Sequence, residues 1–515
     1  MSTRLTYTSG ASSPETDAAF EAALADVRRD PGAPLPHVVG GIASHDGPEF
    51  AREDPSRSEA VASRAHAAPD ELVAEAIRVA RAAQGGWRRL AVAERTGLLR
   101  AAGAAISERH LELAAAVSLE AGKSRTESIA EVQEAVDLIE AYCAQIEAHD
   151  GYAVPLGQLT PDETNESVLR PFGVFGVIGP FNFPVALVVG MASGALVAGN
   201  TVVVKPSEQT PRCGALIGEC FAAAGLPDGV VAVLHGGEET GRALAEGAID
   251  GVVFTGSAEV GRALGRRFAD GPFARPAITE MGGKNPAIVA ASADVDAAAA
   301  GIAASAFGFS GQKCSACSRA IVVGDAAHDA LVAALRARAA ELRLGDPGDR
   351  DAFTGPVVDA RAVARYEAAI AAADRDGEVV AGGGALPLPG HFVAPAVVAG
   401  LPEGHLLTRE ELFVPFVTVT KVDSFDAALA EANAVDYGLT AGVFSGDRRE
   451  LDRFLDEIEA GVVYVNRRAG ATTGAWPGFQ SFCGWKSSGS TGKGGLGPYY
   501  VQQFMREQSR TVVTP

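Results

Sequence analysis

Three short segments of the 515-residue chain carry side chains able to do covalent chemistry. The first is FGFSGQKCSACSR, residues 307–319, where Cys314 sits among Gly and Ser. A nucleophilic thiol needs access, a lowered pKa and amide donors beside it. Small neighbours such as Gly311 and Ser315 leave room for a substrate. The residues alone equally allow a buried structural thiol. Cys314 and Cys317 form a CxxC pair, but no second ligand pair follows at zinc spacing, and the setting is not that of a thioredoxin-like redox pair. The second segment is ITEMGGKNP, residues 278–286. Glu280 closes an apolar run before two glycines, a setting that suits a desolvated general base or a capping carboxylate. The third is GVIGPFNFP, residues 176–184. The Asn182 amide stands at a strand end, where it can donate to a developing oxyanion or cap the next helix.

A fourth element pairs VVVKPSEQTP with FTGSAEVG. One strand leads to Lys205, Ser207 and Glu208; another leads to Gly256, Ser257 and a helix near Gly261. Such turns place backbone N–H groups at a helix N-terminus, where phosphate binds, and a carboxylate at a strand end can hold ribose hydroxyls. The spacing is not the GxGxxG of the dinucleotide fingerprint.

These residues need a scaffold, and the texture of the chain predicts one. Residues 1–60 read as an arm with a short helical piece, and residues 69–150 read as helices, with Leu72, Val73, Ala76 and Ile77 at helical spacing after Pro69-Asp70. From about residue 170, short β-prone runs alternate with helices, the signature of a parallel α/β sheet. The apolar run Pro184 to Gly199 is shorter than the ~20 residues of a membrane span and is broken by Gly and Ser, so a buried helix is expected. The stretch from Arg467 to Gly497 has no period, but its aromatic residues predict an ordered, functional loop.

Composition narrows the class. Hydrophobic residues at 47% and charged residues at 21% exclude wholesale disorder. A net charge of -20 argues against nucleic acid or an anionic membrane as partner, while leaving room for a local cationic pocket. Six cysteines give no secreted disulfide framework, and the N-terminus lacks an apolar signal core, so a cytoplasmic chain is expected. The nine histidines show no metal spacing, and no metal is expected.

Taken in order along the chain, NFP, KPSE, FTGS, E-x-GGKNP, GQ-x-C and EELF-x-P resemble the aldehyde dehydrogenase superfamily. The resemblance runs from about residue 18 to the C-terminus. It implies an α/β fold with a Rossmann-like cofactor domain, a second α/β domain carrying the nucleophile, and a β-hairpin that builds a dimer or dimer-based homo-oligomer. The implied boundaries are an arm at 1–60, an NAD-binding domain at 61–155 and 173–285, a catalytic domain at 286–485, and an oligomerisation element at 156–172 and 486–515. NAD is the implied cofactor, with Glu208 set against the extra phosphate of NADP. In this reading Cys314 attacks the aldehyde, Asn182 and the Cys314 N–H hold the oxyanion, and Glu280 activates water. Lys205 and Glu208 meet the adenosine ribose, Ser257 the pyrophosphate, and Glu411 and Phe413 the nicotinamide riboside, with Ser207 and Gly256 also among the cofactor-binding residues.

Three stretches narrow the resemblance to the branch that oxidises L-glutamate gamma-semialdehyde: AFEAALADVRRDPGAPLPHVVGG, GQKCSACSR and TTGAWPGFQSFCGWKSSGS. They imply that Lys313, Ser315, Gly474 and Ala475 anchor the amino-acid carboxylate and that Phe183 and Phe482 line the aliphatic tunnel. Lys313 is also expected to favour the Cys314 thiolate. Val414 stands where the superfamily usually has Gly, and Ser481 and Cys483 depart from its usual PFGG. These changes leave room for another semialdehyde or a broad-range aldehyde as substrate. A catalytically silent relative is the remaining alternative, and the intact Cys, Glu and Asn set argues against it.

Overall fold

The computed structural model describes residues 13–29, 31–468 and 475–514. Two seven-stranded sheets carry the described chain. In the first, Ala277–Met281, Gly251–Gly256, Val174–Ile178, Thr201–Lys205 and Val231–Val233 lie parallel in that order. VFGVI, TVVVK and GVVFT are buried throughout, as parallel strands covered on both faces must be. Helix Ala186–Val197 is apolar on every side and almost wholly buried, as a helix without a polar face must be. Among the described residues no helix is long and apolar enough to cross a membrane.

The second sheet runs Glu378–Ala381, Ala396–Ala399, Phe416–Val422, Cys317–Val323, Asn285–Val289, Thr440–Phe444 and Val462–Val465, parallel except at its first edge. It has its own apolar core, including Ile302, Phe307, Val322 and Phe444. A third, antiparallel sheet joins Ala153–Pro155, Glu163–Pro171 and Met505–Val513.

Two stretches differ from the sequence expectation. The first 60 residues are not a plain arm. After helix Pro14–Arg29, His37–Val39 and Ile42–Ser44 extend the first sheet, and Glu49–Asp54 pairs with Arg57–His66. Their sequences hide this, because EFARED and RSEAVASRAH use charged residues and Ala where strand propensity favours Val or Ile. The segment 486–515 also divides. Only Met505–Val513 joins the antiparallel sheet, whereas Trp485–Lys486 pairs with Tyr437–Gly438 and residues 488–490 dock on the strand that carries Glu280. Its Gly- and Ser-rich sequence leaves amides and hydroxyls free to make those bonds.

Candidate active site

Lys205 and Gly256 are the last residues of their strands, and Glu280 is the penultimate residue of its own. The carboxyl edge of an open parallel sheet is where such folds bind ligands. The buried Lys205 ammonium donates to the Gly236 carbonyl (2.9 Å) and lies 3.8 Å from Glu208. This pair offers a cation and a carboxylate side by side, a chemistry suited to a ribose diol. Ser207 sits in the same turn, its hydroxyl accepting from the Gln209 N–H at 3.2 Å. Ser257 caps helix Ala258–Ala269 (3.3 Å to the Val260 N–H), and the amides and dipole of that helix end favour a phosphate. Across the cleft, Glu411 accepts the Gly283 N–H at 2.9 Å. A Cβ on Gly282 would stand 1.9 Å from the Glu411 carboxylate, so glycine is required for this approach. Phe413 holds a positive φ of 57° and meets Phe181 edge to face at 5.9 Å. A cation beside a carboxylate, a helix N-terminus and a second carboxylate are groups whose chemistry suits the ribose, pyrophosphate and nicotinamide ends of a dinucleotide.

The nucleophile is held differently. Helix Val295–Phe307 gives way to the turn Gly308–Gly311, in which Phe309 and Ser310 take positive φ (48° and 50°). Such backbone persists only where neighbours fix it. The Ser310 N–H donates to the Thr354 hydroxyl and the Ser310 hydroxyl to the Gly355 carbonyl, each at 2.6 Å. A Cβ on Gly311 would come within 2.3 Å of the Val414 carbonyl oxygen, so glycine lets the two loops touch. The Val414 side chain, where the superfamily usually has Gly, goes into an apolar cluster with Val357, Tyr366 and Phe416. Buried Gln312 accepts the Val358 N–H at 2.8 Å. Asn285 donates to the carbonyls of Cys314 (2.8 Å) and Ala316 (2.9 Å). Buried Asn182 donates to the Gln312 carbonyl at 2.9 Å, which ties it to the loop before Cys314.

These elements meet at a narrow chamber of about 90 Å³, which Cys314, Ser315, Glu280, Phe183, Ala475 and Phe482 help to line. Cys314 is half-buried and helps to line this space. Burial, with Glu411 and Glu280 nearby, pushes the Cys314 thiol up to about 12, while the N–H groups of Ser315 and Cys314 pull it down. Burial also raises Glu280 well above the usual carboxylate range, partly offset by the Gly484 N–H. One Glu280 oxygen, Oε2, is buried without a hydrogen-bond partner among the described residues. Such a carboxyl is a stronger proton acceptor than an exposed one. Burial lifts Glu411 to about 7, against the pull of the Gly283 N–H, Lys284 and Arg365.

The structure does not bring Lys313 to the chamber. Its side chain turns away from Cys314, is buried, and pairs with Glu127. The expected help to the thiolate therefore fails: a neighbouring carboxylate already neutralises the ammonium. Gly474 lies outside the described residues. Sequence reasoning missed Glu134, Leu138 and Tyr142, which bring helix Arg125–Ala148 to the chamber wall, and Met191, Thr255 and Tyr500. A signal was present, because Glu127, Glu131 and Glu134 recur at helical spacing on a face that packs inward. Carboxylates on such a face need partners, and partners cluster near functional sites.

A nucleophile loop and a desolvated carboxyl face one chamber at the carboxyl edge of a parallel sheet, an arrangement suited to an oxidoreductase, and the sequence matches the aldehyde dehydrogenase family over residues 42–510. The chain belongs to that family. It is 37% identical over 501 residues to the 1-pyrroline-5-carboxylate dehydrogenase of Geobacillus sp. (strain WCH70), covering 96% of this chain and 95% of that protein. Among solved structures it resembles the R100A mutant of Thermus thermophilus 1-pyrroline-5-carboxylate dehydrogenase (35% identity, TM-score 0.93, 98% of this chain and 97% of that one). A Thermus 1-pyrroline-5-carboxylate dehydrogenase with bound NAD matches at 34% identity, TM-score 0.92, with the same coverage. Bdellovibrio bacteriovorus proline utilization A matches at 33% identity and TM-score 0.92 over 96% of this chain, which spans 52% of that longer protein.

Proposed function

We propose that this chain oxidises L-glutamate gamma-semialdehyde to L-glutamate with NAD, the last step of proline breakdown. The observation that carries the reading is that Cys314 and Glu280 open into one narrow chamber walled by Phe183 and Phe482. The relatives named for 1-pyrroline-5-carboxylate support the choice of substrate.

The chain's own residues account for the protein side of the reaction. The Cys314 sulfur bonds to the aldehyde carbon, and the carbonyl oxygen becomes an oxyanion held by the Asn182 amide and the Cys314 N–H. Two such donors contribute about 3–4 kcal/mol each in comparable sites. When bound, NAD supplies the hydride acceptor and a positive ring that favours the thiolate. Lys205, Ser207 and Glu208 would hold its adenosine ribose, Gly256 and Ser257 its pyrophosphate, and Glu411 and Phe413 its nicotinamide riboside. Glu280 then takes a proton from the water that attacks the Cys314 thioester, releasing the acid and the free thiol. Ser315 and Ala475, which help to line the chamber, and Gly474 would anchor the carboxylate of the substrate.

The domain assignment has residues 61–155 and 173–285 carrying the cofactor and 286–485 the nucleophile. The hairpin at 156–172 with the C-terminal strand joins copies into a dimer-based homo-oligomer, and the enzyme works in the cytoplasm.

One observation favours a second reading, another semialdehyde or a broad-range aldehyde: Lys313 is engaged by Glu127 and does not face the chamber. Steady-state kinetics on an aldehyde panel decides between them. Glutamate semialdehyde should give the highest kcat/KM. A tenfold advantage for succinate semialdehyde or a long-chain aldehyde would replace the first reading with the second.

A further inference from the structure

The only charged pair with both side chains fully sealed from solvent among the ion pairs of the described residues is Lys123 with Glu131, 2.5 Å apart. Neither residue lines the chamber. A buried pair is costly to desolvate, and an apolar pair of similar volume often serves stability as well or better. Its surroundings show what it does instead. The second oxygen of Glu131 accepts the N–H of Val185 (2.8 Å) and of Ala186 (3.3 Å). These amides open helix Ala186–Val197, which has no side-chain cap at its own N-cap residue. They directly follow Asn182, Phe183 and Pro184, so Glu131 fixes where the Asn182 amide stands.

Lys123 reaches both loops of the site. Its ammonium lies 3.5 Å from the centre of the Phe183 ring and 4.8 Å from that of Phe309. Phe183 follows Asn182, and Phe309 holds positive φ in the turn that leads to Cys314. A cation over an aromatic face is attracted to it, more strongly where water is excluded. The Lys123 backbone is itself tied down, its carbonyl accepting the hydroxyls of Ser118 (2.8 Å) and Ser128 (3.2 Å).

We propose that Lys123 and Glu131 are a positioning pair that sets the oxyanion-donating Asn182 against the nucleophilic Cys314, by holding one loop through its amides and both loops through their aromatic rings. The proposal rests on the reading of Cys314 as nucleophile and Asn182 as donor. It predicts that loss of the pair slows formation of the covalent intermediate and leaves binding nearly intact.

The test uses the full-length enzyme with the double substitution Lys123→Met and Glu131→Gln, which removes both charges together and keeps an oxygen acceptor for the two amides. We expect kcat and the pre-steady-state burst of NADH to fall at least tenfold, KM for the aldehyde to change less than threefold, and Lys123→Arg, which keeps a cation over the rings, to recover most of the rate. Should the double variant not fold, Phe309→Leu removes one ring and no charge, and should slow the burst about threefold at constant KM. Unchanged burst kinetics would overturn the proposal. So would kcat, KM and Tm deteriorating together without recovery in Lys123→Arg, because that pattern marks a merely structural pair. Cys314→Ala is run alongside: NADH formation surviving in that variant would overturn the underlying reading and not the pair alone.

Discussion

The two rims of the cleft are built by different means. On the cofactor rim, Lys205 and Gly256 stand at the ends of parallel strands of one sheet, in a register that sets Ile178 beside both Lys205 and Phe254. The sheet's own hydrogen bonds position them. On the nucleophile rim, Cys314 lies between a helix and a strand, after three consecutive residues of positive φ, Phe309, Ser310 and Gly311. No ladder holds it; Gln312, Asn285, Ser310 and Asn182 do, through single side-chain bonds. A ladder averages out the loss of one side chain, whereas a loop held by separate bonds does not. Substitutions should therefore cost more rate on the nucleophile rim, and the cofactor rim should answer mainly in binding.

The largest expected effect is that of Cys314→Ala. NADH formation should fall by on the order of 10⁴-fold or more, since Cys314 carries the only thiol among the described residues that line the chamber. Next comes Asn182→Ala, for which a loss of about 10²–10³ in kcat is expected from removing one oxyanion donor. A loss below tenfold would mean that backbone N–H groups hold the oxyanion alone. On the opposite rim, Lys205→Ala should raise KM for NAD about tenfold with kcat within a factor of about three, the signature of an interaction equal in ground and transition states. A kcat collapse in Lys205→Ala would erase the contrast between the rims.

The same contrast explains what was legible in the sequence. Strands such as VVVKPSE and FTGS announce themselves by β-prone residues, and the residues they deliver are the ones after the run, so the cofactor rim reads almost directly. Cys314, Glu280 and Asn182 were legible as candidates, each with two readings, and the fold brings Cys314 and Glu280 to one chamber and sets Asn182 against the Cys314 loop. The orientation of Lys313 was not legible. Adjacent residues in a turn point different ways, and its partner Glu127 is 186 positions distant. Glu134 and Tyr142 were hidden as well, coming from a helix that carries none of the motifs. The strands of the first 60 residues were lost because Ala and charged residues carry them.

The smallest expected effect concerns stability and belongs to Glu280. Its carboxyl is raised well above 4.5 by burial, so the folded chain keeps a proton that the unfolded chain releases above about that pH. Unfolding then releases a proton, and by linkage stability declines as pH rises from the unfolded pKa through the raised folded one. Glu411, lifted to about 7, adds the same trend between 4.5 and about 7. An amide at residue 280 has no proton to lose. Glu280→Gln should therefore melt higher than the unmodified enzyme at pH 8, by about 2 °C if the change is on the order of 1 kcal/mol, and no higher at pH 4. The same variant should keep its NADH burst and lose steady-state turnover by about 10²-fold, because only thioester hydrolysis needs the base. Thermal melts at the two pH values, paired with burst kinetics, separate the two roles. A variant that melts lower at pH 8 would show the carboxyl to be held by partners and not desolvated, and the general-base assignment would lose its physical ground.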